Sequence, residues 1–458
     1  QTTDKTWTVQ ECIDYALENN LTVKNQELTV NINEINRHQS RMNLLPTLNA
    51  GANYGYNWGR SINPETNLVT KREQTNGFGN LNLNWTLFSG WRNVNGIKQA
   101  NANLAAREYD LETTKNNITL SIITLYTTVI FNTELLENAR LQLESTRSQM
   151  ERTRKQVEAG SLPRSNLLDM QAQVASSELN VINAENSLNI ALLQLKQAML
   201  YPENEPLQIE IPQIEINEVE LATVTPENVY KIAASIMPEV KGAEMNLESS
   251  LYGIKVAKGS YYPRISLSAG LNTNYSSLAA DRGLLESTGN FLEIPIGYVQ
   301  GTGDVVVTQT EEFIRVPYEL GRQLDNNFGQ SVGLSISIPI FNNHQVKASV
   351  QRAKIAYEQA KVQAELTRQN LRQTIERAYY DAYSAAKAYQ SSLKRVEAQE
   401  ESFRAMKQRY ENGAANATDY ELAENNLFQA KSDLLRAKYD FIFKLKILDF
   451  YQGKPIEF

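Results

Sequence analysis

Residues 80–88 read "NLNLNWTLF", and they alternate strictly between apolar and polar side chains. The apolar positions are Leu81, Leu83, Trp85 and Leu87. The positions between them are Asn80, Asn82, Asn84 and Thr86. Successive side chains of a β-strand point to opposite faces. The stretch therefore predicts a strand with one apolar face and one face made almost entirely of amides.

Three further stretches share this two-residue period, at 46–58, 264–275 and 331–341. Their polar positions are nearly all Asn, Ser or Gly, with almost no charged residues, and this strict alternation is typical of half-buried strands. The hydroxyl positions of the later strands include Ser266, Ser268, Ser335 and Ser337. The apolar faces carry aromatic residues towards the strand ends, namely Tyr54, Tyr56, Trp58, Trp85 and Tyr275.

Two interpretations of these strands remain open: an antiparallel sheet packed on a soluble core, and a membrane-spanning β-barrel. A spanning strand needs about 9–11 residues, alternates lipid-facing with lumen-facing side chains, and ends in aromatic residues. The pattern favours the barrel, with the amides and hydroxyls facing its lumen. Because an open edge in lipid leaves backbone groups unsatisfied, other copies must complete the barrel. Two copies would give about eight strands and a filled interior, and three would give about twelve and a lumen.

Long helices are predicted over 91–158 and 344–411, because no proline interrupts either stretch. At 1.5 Å per residue the first would be about 100 Å long. Apolar residues of the second recur at alternating spacings of four and three: Val346, Val350, Ala353, Tyr357, Ala360 and Ala364. The first has a matching series at Ile97, Ala100, Leu104 and Leu111. This period predicts a left-handed coiled coil.

The order of elements occurs twice along the chain, which predicts an internal duplication. Pro46 and Pro263 each open a strand and are 217 residues apart, whereas Gly160 and Gly413 are 253 residues apart. Glycine directly after a long helix is a helix-ending signal, so we place the two helical turns at Gly160 and Gly413. The second repeat is 36 residues longer, and we assign the extra residues to an external loop at 276–330.

Two details complete this organisation. Pro163 supports the position of the first helical turn, because proline does not continue a helix. Residues 201–225 are rich in proline and alternate in polarity, so we expect a connector with one or two short strands.

Composition argues against several classes of function. The 458 residues carry a formal net charge of -7, whereas nucleic-acid binding needs a basic surface. Cys12 is the only cysteine, and the two histidines, His38 and His344, are far apart in sequence. Disulfides, a zinc site, a Cys–His nucleophile and a bound cofactor are therefore not expected, and an enzyme is disfavoured.

The sequence carries no helical membrane signal of the usual kind. No uninterrupted apolar run approaches the roughly 20 residues of a spanning helix. The chain opens with "QTTDKTW" rather than a charged and then apolar leader. If the protein is exported, we expect its signal peptide to have been removed.

The duplicated order of elements resembles the TolC-type outer-membrane efflux protein family. The N-terminal "WTVQECIDYALENNLTV" and the strand openings at 45–46 and 262–263 carry part of the resemblance. The strand-to-helix passages "LFSGWRNVNGIKQA" and "IFNNHQVKASVQRAKIAYEQA" carry another part. The turns "VEAGSLPRSNLLDMQAQV" and "YENGAANATDYELAENNL" complete it, so that it covers nearly the whole chain.

The resemblance implies a mainly α fold with a membrane β part. It implies a trimeric 12-stranded β-barrel, four strands per chain, continued by a long α-helical coiled-coil tunnel and internally duplicated. The domains expected on this basis are N-terminal periplasmic helices (1–45), a first barrel hairpin (46–88), a first helical hairpin of the tunnel (89–200), a connector with the helices of the second repeat (201–262), a second barrel hairpin with its external loop (263–341), a second helical hairpin (342–450) and a C-terminal tail (451–458).

The implied function is a passive exit duct in the outer membrane of a Gram-negative bacterium, with a large periplasmic extension. Such a duct serves a tripartite efflux or type I secretion system, and its partners are a periplasmic adaptor protein, an inner-membrane pump of the RND or ABC type, and outer-membrane lipid. The alternative is a trimeric coiled-coil surface fibre or adhesin with no channel. Neither the cargo nor the class of pump follows from the sequence.

The resemblance also places a gate where the helical hairpins turn. The tips that would contact the adaptor are Gly160, Pro163, Gly413 and Ala414. Asp419 matches the first of two acidic residues that line the family's constriction, whereas the second position is Leu422. Glu421 and Glu424 are neighbouring carboxylates on the same helix. A three-fold ring of Asp419 would favour cations. Alternatively, Asp419 only complements a helix N-terminus, which is worth about 0.3–1 kcal/mol.

A latch of the closed state is expected beside this constriction. Tyr410 matches the tyrosine with which the family latches its closed state. Two other latch positions differ, because Asn166 replaces an aspartate and Ala415 replaces an arginine. Our hypothesis is a rewired latch that uses Arg164 or Arg409.

Overall fold

The computed structural model describes residues 5–62, 68–202, 204–212 and 225–454. Its helices are α1 (Val9–Asn19), α2 (Leu21–Met42), α3 (Arg92–Glu158), α4 (Arg164–Met199), α5 (Pro226–Ile236), α6 (Pro238–Gly259), α7 (Ser277–Arg282), α8 (Leu320–Asn326), α9 (Gln345–Glu411) and α10 (Ala417–Tyr451). Its strands are β1 (Thr6–Trp7), β2 (Thr47–Ile62), β3 (Val69–Ser89), β4 (Gln208–Ile209), β5 (Arg264–Ser276), β6 (Leu284–Tyr298), β7 (Val305–Val316) and β8 (Gly329–Ser337).

The chain divides into two compact units. A helical unit contains Gln1–Arg37, Lys98–Leu251 and Lys354–Phe458. A second unit, which holds the large sheet, contains His38–Ile97 and Tyr252–Ala353.

The helices come in pairs of matching length. α1 and α5 are 11 residues long, and α2 and α6 are 22 residues long. α3 and α9 are both 67 residues long, and α4 and α10 have 36 and 35 residues. The bounds of α3 and α9 agree with the predicted long helices to within one residue. The six heptad positions predicted in α9 are all buried or half-buried, as a coiled-coil seam requires.

The large sheet consists of the four predicted strands. Its order is β2-β3-β5-β8, and every neighbouring pair is antiparallel. One row across the sheet joins Thr47, Asn84, Ser268 and Gly333. Because paired residues share a face, the polar face collects the amides and hydroxyls singled out in the sequence: Asn80, Asn82, Asn84, Ser266, Ser268, Ser335 and Ser337.

The aromatic residues lie on the opposite face at two levels. Tyr54 and Tyr275 flank Gly77 in one row, and Trp85 pairs with Leu267 in another. The eight residue-to-residue steps from Gly77 to Trp85 span about 27 Å of extended strand. Tyr56 and Trp58 continue the upper level, while the Trp85 indole N–H donates to the Leu44 carbonyl at 2.7 Å. The apolar face thus has an aromatic group towards each end.

The region 276–330, which the sequence assigns to an external loop, has secondary structure of its own. This region contains α7, a hairpin of β6 and β7, and α8. Within the hairpin, register shifts occur between Ser287 and Phe291 and between Pro295 and Gly297. These irregularities interrupt the two-residue period, so the alternation that predicted the other strands is missing here.

The core of the helical unit packs α1, α3, α4 and α10 together. Its fully buried members include Ile122, Ile130, Leu195 and Met199. Strands β1 and β4 form a short parallel pair, and the Tyr126 hydroxyl lies beside both. Its oxygen is 3.0 Å from the Trp7 carbonyl oxygen in β1 and 2.7 Å from the Glu210 carbonyl oxygen just after β4. This hydroxyl therefore ties the predicted connector, which contains β4, to α3.

Cys12 of α1 lies in the same core and is fully buried. Burial raises the pKa of its thiol to about 12. Among the described helices, α3 has one stretch long and apolar enough to cross a membrane by composition, of which 39% is buried inside the protein. Since the core helix of a folded domain passes the same test, this stretch is weak evidence for a span.

The passage from β3 into α3 depends on a close backbone approach. Gly90 has a φ of +64°, and a Cβ there would lie 2.1 Å from the Gly259 carbonyl oxygen at the end of α6. The following residue, Trp91, also has a positive φ, at 65°. Ahead of α9, Asn343 and His344 likewise form a consecutive left-handed pair, at 48° and 66°.

We predict that Gly90→Ala destabilises this unit. The left-handed backbone alone would cost about 1–2 kcal/mol, and the overlap with Gly259 adds to it. The measurement is the thermal unfolding midpoint of the purified protein by circular dichroism at 222 nm. Gly96→Ala is the matched control, because its Cβ meets nothing within 4 Å and the helix gains about 1 kcal/mol. Equal midpoints for the two variants would contradict this account of the junction.

Candidate functional site

The two long helical hairpins turn through the same backbone motif. After α3, the Ser161 N–H donates to the Gln156 carbonyl and the Gly160 N–H to the Val157 carbonyl. After α9, Ala414 and Gly413 donate in the same way to Arg409 and Tyr410. Gly160 and Gly413 both have a φ of +71°. These are Schellman turns, which explains why glycine stands at both predicted positions.

The helices that follow the turns begin differently. Pro163 precedes α4 as its N-cap and makes no side-chain capping bond. Asn416 precedes α10, and its side-chain oxygen accepts from the Asp419 N–H at 2.7 Å. Asp419 therefore lies in the first turn of α10, where its carboxylate also complements the helix N-terminus.

The two hairpins pack against each other within one chain near these turns. Arg152 of α3 forms an ion pair with Glu411 at 3.4 Å. Gln173 of α4 donates to the Asn425 side chain of α10 at 3.0 Å. The tips of all four helices thus form one cluster, which we call the tip cluster and define as 142–177 and 403–425.

Aromatic rings fill the centre of the tip cluster. Tyr420 is only 2% exposed, and its ring centroid lies 5.0 Å from that of Tyr410 and 5.5 Å from that of Phe403. The Tyr410 hydroxyl is buried and has no hydrogen-bond partner among the described residues. A buried hydroxyl without a partner costs about 1–3 kcal/mol, so Tyr410 lowers the stability of the tip cluster in this arrangement.

Two carboxyl groups of α10 are also buried in the tip cluster. Glu424 is 2% exposed, and this burial raises the pKa of its carboxyl. A hydrogen bond from the Ser145 hydroxyl, at 3.1 Å, acts in the opposite direction and lowers the pKa. The second carboxyl oxygen of Glu424 has no partner among the described residues. Burial also raises the pKa of Glu421, helped by the charges of Asp169 and Glu424. Each group therefore keeps its proton to a higher pH in the folded state than in the unfolded chain.

The seam of α3 changes character towards the tip. Its core positions near Tyr126 are apolar, whereas Gln142, Thr146, Gln149 and Thr153 follow at heptad spacing. Of these, Thr146, Gln149 and Thr153 are buried. Polar groups in a helical seam reduce its stability relative to apolar ones, so the tip cluster is held less tightly than the core.

The predicted latch residues are not all brought together within one chain. The side chains of Arg164 and Arg409 are exposed and form no ion pair with described residues. Asn166 accepts a hydrogen bond from its neighbour Ser165 at 3.4 Å. Asp419 is exposed, and Leu422 at the second acidic position is 60% exposed.

The sequence did not reveal the burial of Tyr420 and Glu424 or the hydrogen bond from the exposed Ser145 to Glu424. The 4-3-4 spacing of Gln142, Thr146, Gln149 and Thr153 is the one signal that could have indicated a polar seam. Among the described residues, no group of three or more His, Cys, Asp or Glu side chains could hold a metal ion.

Comparison with known proteins agrees with this architecture. The sequence profile described as "Outer membrane efflux protein" matches residues 12–199 and 229–449. The chain belongs to the outer membrane efflux protein family. It is 22% identical over 411 residues to outer membrane protein TolC of Escherichia coli, which covers 88% of this chain and 74% of that protein. It is also 22% identical to the alkaline protease secretion protein AprF of Pseudomonas aeruginosa, over 91% of this chain and 78% of that protein.

Solved structures share the fold. The outer-membrane channel OprN superposes with a TM-score of 0.73 at 17% identity, covering 98% of this chain and 90% of that one. The open state of the MtrE channel of Neisseria gonorrhoeae superposes with a TM-score of 0.70 at 20% identity, covering 97% of this chain and 88% of that one. The predicted resemblance to the TolC-type family is confirmed, and this family consists of channel proteins of the outer membrane.

We predict that Glu424→Gln raises the stability of the helical unit at pH 8 and less so at pH 5. An acid whose folded-state pKa is raised stabilises the fold below its ordinary pKa of 4.5, and it loses this contribution as the pH rises through the raised value. Each unit of pKa elevation corresponds to about 1.4 kcal/mol. The measurement is the thermal unfolding midpoint of both proteins at the two pH values.

Glu397→Gln is the matched control, since Glu397 lies exposed on α9. We expect that substitution to leave the midpoint unchanged at either pH. If Glu424→Gln raised the unfolding midpoint equally at pH 5 and pH 8, the burial of this carboxyl would not be the cause of the increase.

Proposed function

We propose that three copies of this chain assemble into an outer-membrane exit duct, in which four strands from each copy close a twelve-stranded barrel. The observation that carries the proposal is the sheet itself, with one apolar face, one amide face and two unpaired edges, β2 and β8. Hydrocarbon offers no hydrogen bonds to an open edge, so the sheet must close through other copies. Small polar side chains on the inner face suit a water-filled lumen.

The exposed side chains support the assignment of the two faces. Leu48, Val332, Leu334 and Ile336 are all more than half exposed in the single chain, and they belong to the apolar face. Tyr54, Tyr56, Trp58, Trp85 and Tyr275 are the proposed interface aromatics. With strands tilted by about 40°, the 27 Å between the two aromatic levels becomes roughly 20 Å along the membrane normal, close to the height of an outer-membrane apolar band.

The long helices support a periplasmic extension. Each 67-residue helix is about 100 Å long, and its heptad seam suits a coiled-coil tunnel. We infer that an adaptor protein contacts the turns at Gly160, Pro163, Gly413 and Ala414 and joins the duct to an inner-membrane pump. The matching helix lengths support an internal duplication, which would give each copy two similar tips.

The duct is passive in this proposal and carries no catalytic step or nucleic-acid partner. The relatives' names indicate secretion and export: AprF is an alkaline protease secretion protein, and another relative is a toxin and drug export protein. We therefore propose efflux or type I secretion as the process, with an RND or ABC pump as its source of energy.

Gating is proposed at the tip cluster. Among the described residues of one chain, the buried Tyr410 hydroxyl has no hydrogen-bond partner. Polar side chains lie near the turns, namely those of Arg164, Arg409 and Asn166. We infer that a shift of the tips on assembly uncovers the hydroxyl, so that these groups pair between neighbouring copies and hold the tips closed. Asp419 and Glu421 would then line the narrow end and favour cations.

We predict that the purified protein inserts into planar lipid bilayers as a trimer and produces discrete current steps, because a closed barrel encloses water. Val332→Arg should abolish insertion, since a cation on a lipid-facing strand position costs about 2–4 kcal/mol. Ser335→Arg places the same charge on the opposite face of β8, and we expect this variant to insert and to conduct with a shifted ion preference.

Three results would contradict the proposal. One is a monomer that stays monodisperse in buffer without detergent, and another is a surface fibre that gives no current. The third is equal tolerance of arginine at Val332 and Ser335, because it would show that the two faces do not meet lipid and water.

We predict that Tyr410→Phe combined with Asn166→Ala raises the conductance of the resting channel, because the latch loses its hydroxyl and its amide. The measurement is single-channel current at fixed voltage. Tyr383→Phe is the control, since Tyr383 is half exposed on α9 and is distant in sequence from the turns. An unchanged resting conductance would exclude these two residues from the latch.

A further inference from the structure

Two β-hairpins protrude from the same end of the four-stranded sheet. The first, here named the β2–β3 extension (56–62 and 69–75), continues for seven residue pairs beyond the last β3–β5 pair, Asn76 with Ser276. The second is the β6–β7 hairpin (284–316), which leaves from that end of β5 and returns to β8. Both therefore rise from one rim.

Both hairpins expose large apolar side chains. On the β6–β7 hairpin, those more than half exposed include Phe291, Ile296, Tyr298, Val305 and Phe313. On the β2–β3 extension they are Tyr56, Trp58, Ile62 and Val69. So dense a set of exposed apolar residues marks an interaction surface. A two-stranded ribbon is also marginally stable in water by itself, so each hairpin needs a covering partner.

The two hairpins carry opposite charge. The β6–β7 hairpin has five acidic residues and one basic residue, Arg315. The sequence from 56 to 75, which contains the β2–β3 extension and the residues between its strands, has three basic and two acidic residues, a net charge of +1. Opposite charges steer two surfaces together and disfavour pairing between like hairpins. A negatively charged lipid surface would repel the acidic hairpin for the same reason.

The lengths of the two edge strands, β2 and β8, indicate that the hairpins of adjacent copies meet at the rim of the barrel. β2 has 16 residues and β8 has nine, so closing the barrel leaves seven residues of the β2 edge without a partner strand. An uncovered edge of that length would attract other chains. In the antiparallel barrel, the segment that precedes β8 of the neighbouring copy lies at this rim, and that segment is the end of the β6–β7 hairpin and α8.

We propose that the β6–β7 hairpin of each copy packs on the β2–β3 extension of the adjacent copy. The inference rests on the proposed trimer and goes beyond it, because it assigns a role to the 36 residues by which the second repeat is longer. The contact buries two apolar surfaces, pairs opposite charges and covers the free part of the β2 edge. It forms a ring of three contacts at the outer rim and holds the barrel seam closed.

A photo-crosslinker at Tyr298 tests the contact. Tyr298→p-benzoylphenylalanine is produced in full-length chains of which half are labelled with nitrogen-15, so that crosslinks between copies differ in mass from those within one copy. Illumination of the trimers should join Tyr298 to residues 54–75 of another copy. The same probe at Leu271, on the apolar face of a central strand, is the control and should react with lipid or detergent. Should the Tyr298 variant fail to form trimers, the probe moves to Ile296.

The outcomes separate this inference from the proposed function. Trimers in which the probe reacts only within its own copy, with lipid or with another protein overturn the inference and leave the duct intact. A protein that does not form trimers overturns the duct itself. Glu293→Lys with Glu311→Lys should cause a loss of the crosslink between copies, whereas Glu397→Lys on α9 should not. A crosslink yield unaffected by the two reversals would overturn the assignment to the basic extension.

Discussion

A β-sheet edge cannot remain open in hydrocarbon, because its backbone N–H and C=O groups would have neither water nor another strand to bond. This chain carries two such edges, β2 and β8, on a sheet whose one face is exposed and apolar. The constraint makes a single chain incomplete in a membrane. In the proposed trimer, closure by neighbouring copies would satisfy the edges and would also turn the amide face towards an enclosed lumen.

The long helices distribute stability unevenly along their length. α3 passes from an apolar core around Tyr126 to a seam of Gln and Thr near Gly160. Apolar burial contributes about 25 cal/mol per Å², whereas buried polar groups at best recover what they lose in desolvation. The end of the bundle that contains Glu424 and Tyr410 is therefore the part that can rearrange at the lowest cost. A gate is best placed where the packing resists movement least.

Much of the fold could be predicted from the sequence, because its signals are local. Strict alternation identified the four strands of the sheet, and a long stretch without proline predicted the bounds of α9 to within one residue. The turns at Gly160 and Gly413 followed from one residue type, since a left-handed position after a helix strongly favours glycine.

What could not be predicted depends on contacts between distant segments or on broken periods. The β6–β7 hairpin was missed because two register shifts disrupt its alternation. The burial of Glu424 was missed because Ser145, its hydrogen-bond partner, lies 279 residues earlier in the chain. The sequence identified Glu424 only as a carboxylate on the same helix as Asp419. The family resemblance pointed instead to Asp419, which is exposed in the single chain.

The buried thiol of Cys12 has a consequence for biogenesis. An exported protein folds in an oxidising compartment, where a reactive thiolate readily forms mixed disulfides. In the native protein this thiol is inaccessible and stays protonated far above neutral pH. It is vulnerable only while α1 has not yet docked onto α3 and α4. Oxidative damage at this position therefore reports slow maturation of the polypeptide rather than any weakness of the finished molecule.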